Sequence, residues 1–219
     1  MENRDELLQE EMPQASLVEN PQKPKKSRKK TIVILGAAAT VVLAAVIVLL
    51  TRESAASVTK RYCTALWGDF GQVVDLSAFD WKTQAWQGAY SRVYEDEEAF
   101  FEAMSDEYDT NIQSWQDYYK ARGKYEQEQL EDSIGKYSVE VDVTKTRKFT
   151  VDKMRSELSD RIDDLEGNGS FDADEITAAK KVTAEIKIKG EDEVIRHTYE
   201  VYLVKIHGAW KILFYEEVG

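Results

Sequence analysis

The densest run of chemistry-bearing side chains is Asp164-Leu-Glu-Gly-Asn-Gly-Ser-Phe-Asp-Ala-Asp-Glu175. Its spacing is that of a twelve-residue EF-hand calcium loop, with Asp164, Glu166 and Asn168 at positions 1, 3 and 5. Gly169 stands at the turn position, and Ser170 would offer a backbone carbonyl. Asp172 and Glu175 would complete the shell, Glu175 through both carboxylate oxygens. Calcium needs six or more oxygens on a sharply turning loop, and these residues are the candidate metal ligands. Against this, position 3 carries the bulkier Glu, and the segment after the loop, Asp174 to about Lys180, is short for an exiting helix. No second loop is present to pair with it. A plain alternative is that Gly167, Asn168 and Gly169 end one helix while Asp172 or Asp174 caps the next.

Other chemistry is sparse. His197 and His207 stand ten residues apart, one in an expected strand and one in an expected turn. Neither forms a motif for general acid or base work. Cys63 is the only cysteine, which excludes an intrachain disulfide and a cysteine-based zinc site. It has no histidine near it in sequence to activate it and is expected as a small core residue. There is no phosphate-binding glycine loop, no nucleophile elbow and no metalloprotease helix motif, so no catalytic residue is assigned. Trp81, Trp86 and Trp115 are the candidate ligand-pocket residues, on aromatic stripes that could line a cavity or simply pack on a sheet.

The elements that must carry these groups fall into three parts. Residues 1–30 contain all three prolines and end in Lys23, Lys25, Lys26, Arg28, Lys29 and Lys30, a composition expected to be disordered. Thr31 to Leu50 reads TIVILGAAATVVLAAVIVLL, without a charge. As a helix it would be roughly 30 Å long, the thickness of a bilayer's hydrocarbon core. The basic run before it places the N-terminus in the cytoplasm and the C-terminus outside. A cleaved signal peptide is the competing expectation, with small residues at Glu53-Ser54-Ala55-Ala56. Gly36, Thr40 and Ala44 recur every four residues and would allow a homodimer through one helix face. Residues 53–219 form the expected extracytoplasmic domain. From residue 51 onward there are 22 Lys/Arg against 35 Asp/Glu, a net of -13, so nucleic acid is not an expected partner.

Within that domain the apolar period is helical first and alternating later. Helices are expected over 53–67, in short pieces over 69–94, and over 96–122. Tyr137, Val139, Val141 and Val143 then alternate with polar residues, the mark of a half-buried strand. A helix from Thr150 to about Asp164 follows. Strands with Val182, Ala184, Ile186 and Ile188, and with Tyr199, Val201 and Leu203, lead to a tight turn at His207-Gly208 and a last strand to Tyr215. Helices first and an antiparallel meander afterwards make the class α+β.

The order of elements resembles the nuclear transport factor 2-like, or cystatin-like, roll, and more narrowly the uncharacterised membrane-anchored domains of that type in Gram-positive bacteria. The residues that carry the resemblance are the closing hairpin Tyr202-Leu-Val-Lys-Ile-His-Gly-Ala-Trp-Lys-Ile-Leu213, the strand Lys181–Gly190, and the opening helix with Tyr62, Ala65 and Leu66. It implies helices packed on a curved antiparallel sheet, with Trp210 as a core plug. Many such domains have no assigned activity; the function expected here is a binding module in the cell envelope whose partner is a peptide, a wall component or another envelope protein. The alternatives are a calcium-binding domain through the 164–175 loop and an enzyme with a buried carboxylate in the cone.

Overall fold

The computed structural model describes residues 53–218. The tail, the apolar run Thr31–Leu50 and the Gly36, Thr40 and Ala44 face lie outside the described residues. Among the described residues no helix is long and apolar enough to cross a membrane.

Among the described residues seven α-helices and four strands follow the α+β order. They are α1 (Ala55–Ala65), α2 (Phe70–Leu76), α3 (Trp81–Gly88), α4 (Glu97–Glu107), α5 (Trp115–Ile134), β1 (Ser138–Phe149), α6 (Val151–Glu157), α7 (Ser159–Gly167), β2 (Ala178–Lys189), β3 (Val194–Ile206) and β4 (Ala209–Glu217). Short 3-10 turns occupy Tyr90–Arg92 and Ala173–Glu175. Local sequence explains where the helices begin. Ser54, Asp69, Asp80, Asp96, Ser114 and Thr150 each accept a first-turn backbone N–H through their side chains. Such a cap is worth about 1 kcal/mol.

The four strands form one antiparallel sheet in the order β1-β2-β3-β4. His207 and Gly208 both have positive φ, 49° and 83°, which is the two-residue hairpin turn that matches strand twist. Alternation then sorts side chains onto two faces. On one face Val141, Val182, Ala184, Ile186, Ile188, Tyr199, Val201, Leu203 and Ile212 pack against α1, α2, α4 and α5. On the other, Ala179, Tyr202, Val204 and Leu213 pack against Met154, Leu158, Ile162 and Leu165 of the α6–α7 segment. Register shifts in two strands serve this second core. One between Val143 and Lys145 turns Phe149 toward Tyr202, and one opposite Tyr202 and Leu203 places both Leu213 and Phe214 on that side.

Two expected helices are divided in the structure. The 96–122 helix is α4 and α5, separated at Asp109, whose φ is 47°. The Ser105 hydroxyl holds that break, accepting from the Ile112 N–H and donating to the Phe101 carbonyl. Ser114 and Asp117 then open α5 with reciprocal bonds. The expected 150–164 helix is likewise α6 and α7, with a break at Leu158.

Candidate functional site

Helix α7 runs through the first four positions of the calcium-like loop. Asp164 and Glu166 therefore sit on a helix, exposed, rather than on a turn that wraps an ion. Most of the remaining oxygens already have protein partners. Glu166 Oε1 accepts the Ala173 N–H at 2.8 Å. Asn168 Oδ1 accepts the Ser170 N–H at 3.0 Å, and its Nδ2 donates to Gln84 Oε1 at 2.5 Å. The Ser170 carbonyl, where a calcium loop offers its backbone ligand, accepts the Asp80 N–H at 2.8 Å. Asp172 caps the Ala173–Glu175 turn through the Asp174 N–H at 2.8 Å. Glu175 faces His207 Nε2 at 3.4 Å, away from the helix. Among the described residues no group of three or more His, Cys, Asp or Glu is placed to hold a metal ion. The loop acts as a joint: it ends α7, ties α3 to it through Gln84 and Asp80, and starts β2.

The three candidate tryptophans are built into the first core. Trp115 is 8% exposed, stacks on Phe100 at 5.1 Å and donates its indole N–H to Glu97 Oε2 at 3.1 Å. Trp81 sits between Phe70 and Phe79, each 5.2 Å away, and donates to Ser77 Oγ at 2.7 Å. Trp86 meets Phe100 edge-on. Phe100, wholly buried, is the hub: Tyr90, Tyr94, Phe101, Trp115 and Tyr118 also surround it. What the helical spacing recorded was an aromatic cluster. Edge-on and offset pairs of this kind add stability beyond their buried area.

The carboxylate expected for an enzyme is missing from the buried set. Among the described residues the buried polar side chains are Thr59, Ser77 and Ser170. Two of them return their hydroxyl protons to the helix four residues back, Thr59 to Ala55 and Ser77 to Val73. Cys63 is fully buried, and desolvation pushes its thiol up to about 12, the opposite of an activated nucleophile. His197 pairs with Glu217 at 2.7 Å and stacks on Trp67 at 5.3 Å, at the end of the sheet where α1 finishes. His207 is exposed on the hairpin turn.

Among the described residues edge strand β1 pairs only with β2, and beside it an open groove of about 490 Å³ is lined by Lys60, Arg61 and Thr64 of α1, Gln72 of α2 and Val139–Asp142 of β1. The opposite edge, β4, is partly covered, because Ser77 bridges Ile212 and the Ala78 N–H bonds the Ile212 carbonyl at 2.7 Å. A second feature escaped the sequence because it is assembled across strands. Lys148 of β1 stands directly opposite Lys180 of β2, and Trp210 of β4 lies between Lys180 and Lys205 at 4.8 and 5.8 Å from their ammonium groups. Trp210, placed as a core plug by the resemblance, is half-buried under these two lysines. No family model, no curated protein and no solved structure matches this chain.

Proposed function

We propose that this protein is a single-pass membrane protein of the cell envelope, and that its α+β domain is an extracytoplasmic binding module of the cystatin-like, nuclear transport factor 2-like kind. The observation that carries this is the uncharged run Thr31–Leu50 directly after six cations, followed by an α+β domain. The uncharged run supports an anchor, and the cations support an N-terminus held inside. The unpaired β1 edge and the groove beside it suit an extended segment of a partner protein, which would add backbone hydrogen bonds to the sheet.

The test is carbonate extraction followed by protease treatment of intact cells stripped of their wall. The chain is expected in the membrane pellet, with the 53–219 domain accessible from outside. Recovery in the carbonate supernatant, or protection of the domain until the membrane is opened, would refute the proposal.

A further inference from the structure

We propose that the basic end of the sheet, formed by Lys148, Lys180 and Lys205 around Trp210, is a docking surface for anionic lipid headgroups. The inference rests on the membrane anchor proposed above and adds an orientation to it.

The sheet is polarised in charge along its strands. No acid occurs between Asp142 and Asp152, between Glu175 and Glu185, or between Glu200 and Glu216. The register brings these three acid-free stretches to one end of the sheet. Glu140, Asp142, Glu185 and Glu217 lie toward the other end, where they are mixed with Lys187, Lys189 and Arg196. On the face that carries α1, Lys148 and Lys180 are direct cross-strand neighbours, an arrangement that like charges oppose unless something anionic relieves it. None of Lys148, Lys180 and Lys205 forms an ion pair among the described residues, whereas Lys181, pointing to the other face, pairs with Glu200. Of the acids near this end, Asp152, Asp174 and Glu175 belong to the layer on that other face, and Asp75 stands exposed at the end of α2. Asp174 pairs with Arg155, and Glu175 lies 3.4 Å from His207 Nε2. Lys211, at the same end, donates to the Asp75 carbonyl. A half-buried indole between lysine stems matches the chemistry of a membrane–water interface, where tryptophan and snorkelling lysines both concentrate.

The direction of α1 brings the chain in at this end. Its C-terminal side is fixed at the acidic end, where the Tyr137 hydroxyl donates to the Trp67 carbonyl and Trp67 stacks on His197. One turn before Ala65, Tyr62 meets Tyr215 at 5.7 Å. Ala55 lies seven residues earlier, roughly 10 Å back along the helix toward the basic end. Only Thr51–Ser54 separate Ala55 from Leu50, a reach of at most roughly 17 Å. An anionic surface potential fades within a Debye length of about 8 Å, so cations on the side where the chain leaves the bilayer are the ones it can hold.

The test uses the full-length chain reconstituted into nanodiscs of phosphatidylcholine alone or with phosphatidylglycerol. Lysines are labelled with an amine-reactive reagent and read by mass spectrometry. Labelling of Lys148, Lys180 and Lys205 is expected to slow several-fold in the anionic discs only, with Lys124 and Lys189 unchanged. About 1 M salt should remove the protection, because screening then acts within about 3 Å. Equal labelling in both discs, with the chain inserted in both, overturns the inference and leaves the anchor standing. A chain that stays out of both discs overturns the anchor and this inference together. Protection in neutral discs by added glycerol phosphate would assign the site to a small free anion and overturn the lipid assignment.

Discussion

Burial sets the behaviour of the cysteine and of the core tyrosines in this domain more than any pairing does. Cys63 is lifted from 9.0 to about 12 by desolvation. Tyr90, Tyr119 and Tyr199 are each lifted from 10.0 to about 12, again chiefly by burial. For Tyr90 the hydroxyl contact with Tyr118 at 2.9 Å reinforces the effect. In the unfolded chain these groups release protons near their ordinary values, while in the folded chain they hold them. Their contribution to stability is therefore complete below pH 9 and is lost as pH rises toward about 12. The urea midpoint is expected to fall steadily across that window, and Cys63→Ala should flatten its lower part. A midpoint independent of pH up to about 12 would show that these side chains are hydrated in solution. The same burial bears on function: a thiol held neutral and a phenol held neutral are packing groups at physiological pH.

At the level of elements, the close contacts between helices decide what the sequence can tolerate. Gly123, midway along α5, faces the start of α2, and a Cβ there would stand 2.9 Å from the Phe70 amide nitrogen and 3.1 Å from the Gly68 carbonyl oxygen. Both neighbours are backbone, so relief requires the helices to part. Gly123→Ala would gain up to about 1 kcal/mol of helix propensity, yet it is expected to lose about 1–3 kcal/mol net to overpacking. Urea unfolding reads the sign directly, and a more stable variant would refute the close approach. Gly123 also marks where sequence reasoning stopped. Period and alternation exposed the strands well: β2 buries Val182, Ala184, Ile186 and Ile188 in strict alternation, whereas β3 buries Val201 to Val204 in a row because both of its faces are covered. They failed where a helix is held by something other than an apolar stripe. The second half of α5, Gly123 to Ile134, is mostly polar and lies beyond the helix that the apolar period predicts. The break between α4 and α5 depends on Ser105 reaching Ile112, a contact seven residues apart. The loop after α7 shows the converse. Its oxygen spacing fits calcium, and in the structure the helix continues to Gly167 while the Ala173 and Asp80 N–H groups bond Glu166 Oε1 and the Ser170 carbonyl. Spacing reports which atoms are available in sequence and is silent about which are already engaged in space.

For the domain as a whole, the central question is whether the two cores fold together. They lie on opposite faces of one sheet, and β2, β3 and β4 contribute to both. Along β3 adjacent residues serve them alternately, with Val201 and Leu203 in one and Tyr202 and Val204 in the other. A strand cannot lose one face's packing and keep its register for the other, so the two layers should be lost in a single step. Nature has supplied a probe that separates the alternatives. All five tryptophans pack against the first core, and Met154, fully buried, is in the second. Met154→Ala removes side-chain volume from the α6–α7 layer alone and is expected to cost about 2–5 kcal/mol. If the sheet couples the cores, tryptophan fluorescence will report that loss through an earlier urea midpoint, coincident with the midpoint from far-ultraviolet circular dichroism. If the α6–α7 layer opens by itself, the fluorescence midpoint will stay where it is in the parent chain while circular dichroism gains an early phase. The coupled outcome also bears on the membrane surface proposed for Lys148, Lys180, Lys205 and Trp210. Those residues project from the same strands that bind the second layer on the reverse side, so a ligand at the basic end would stabilise α6 and α7 without touching them.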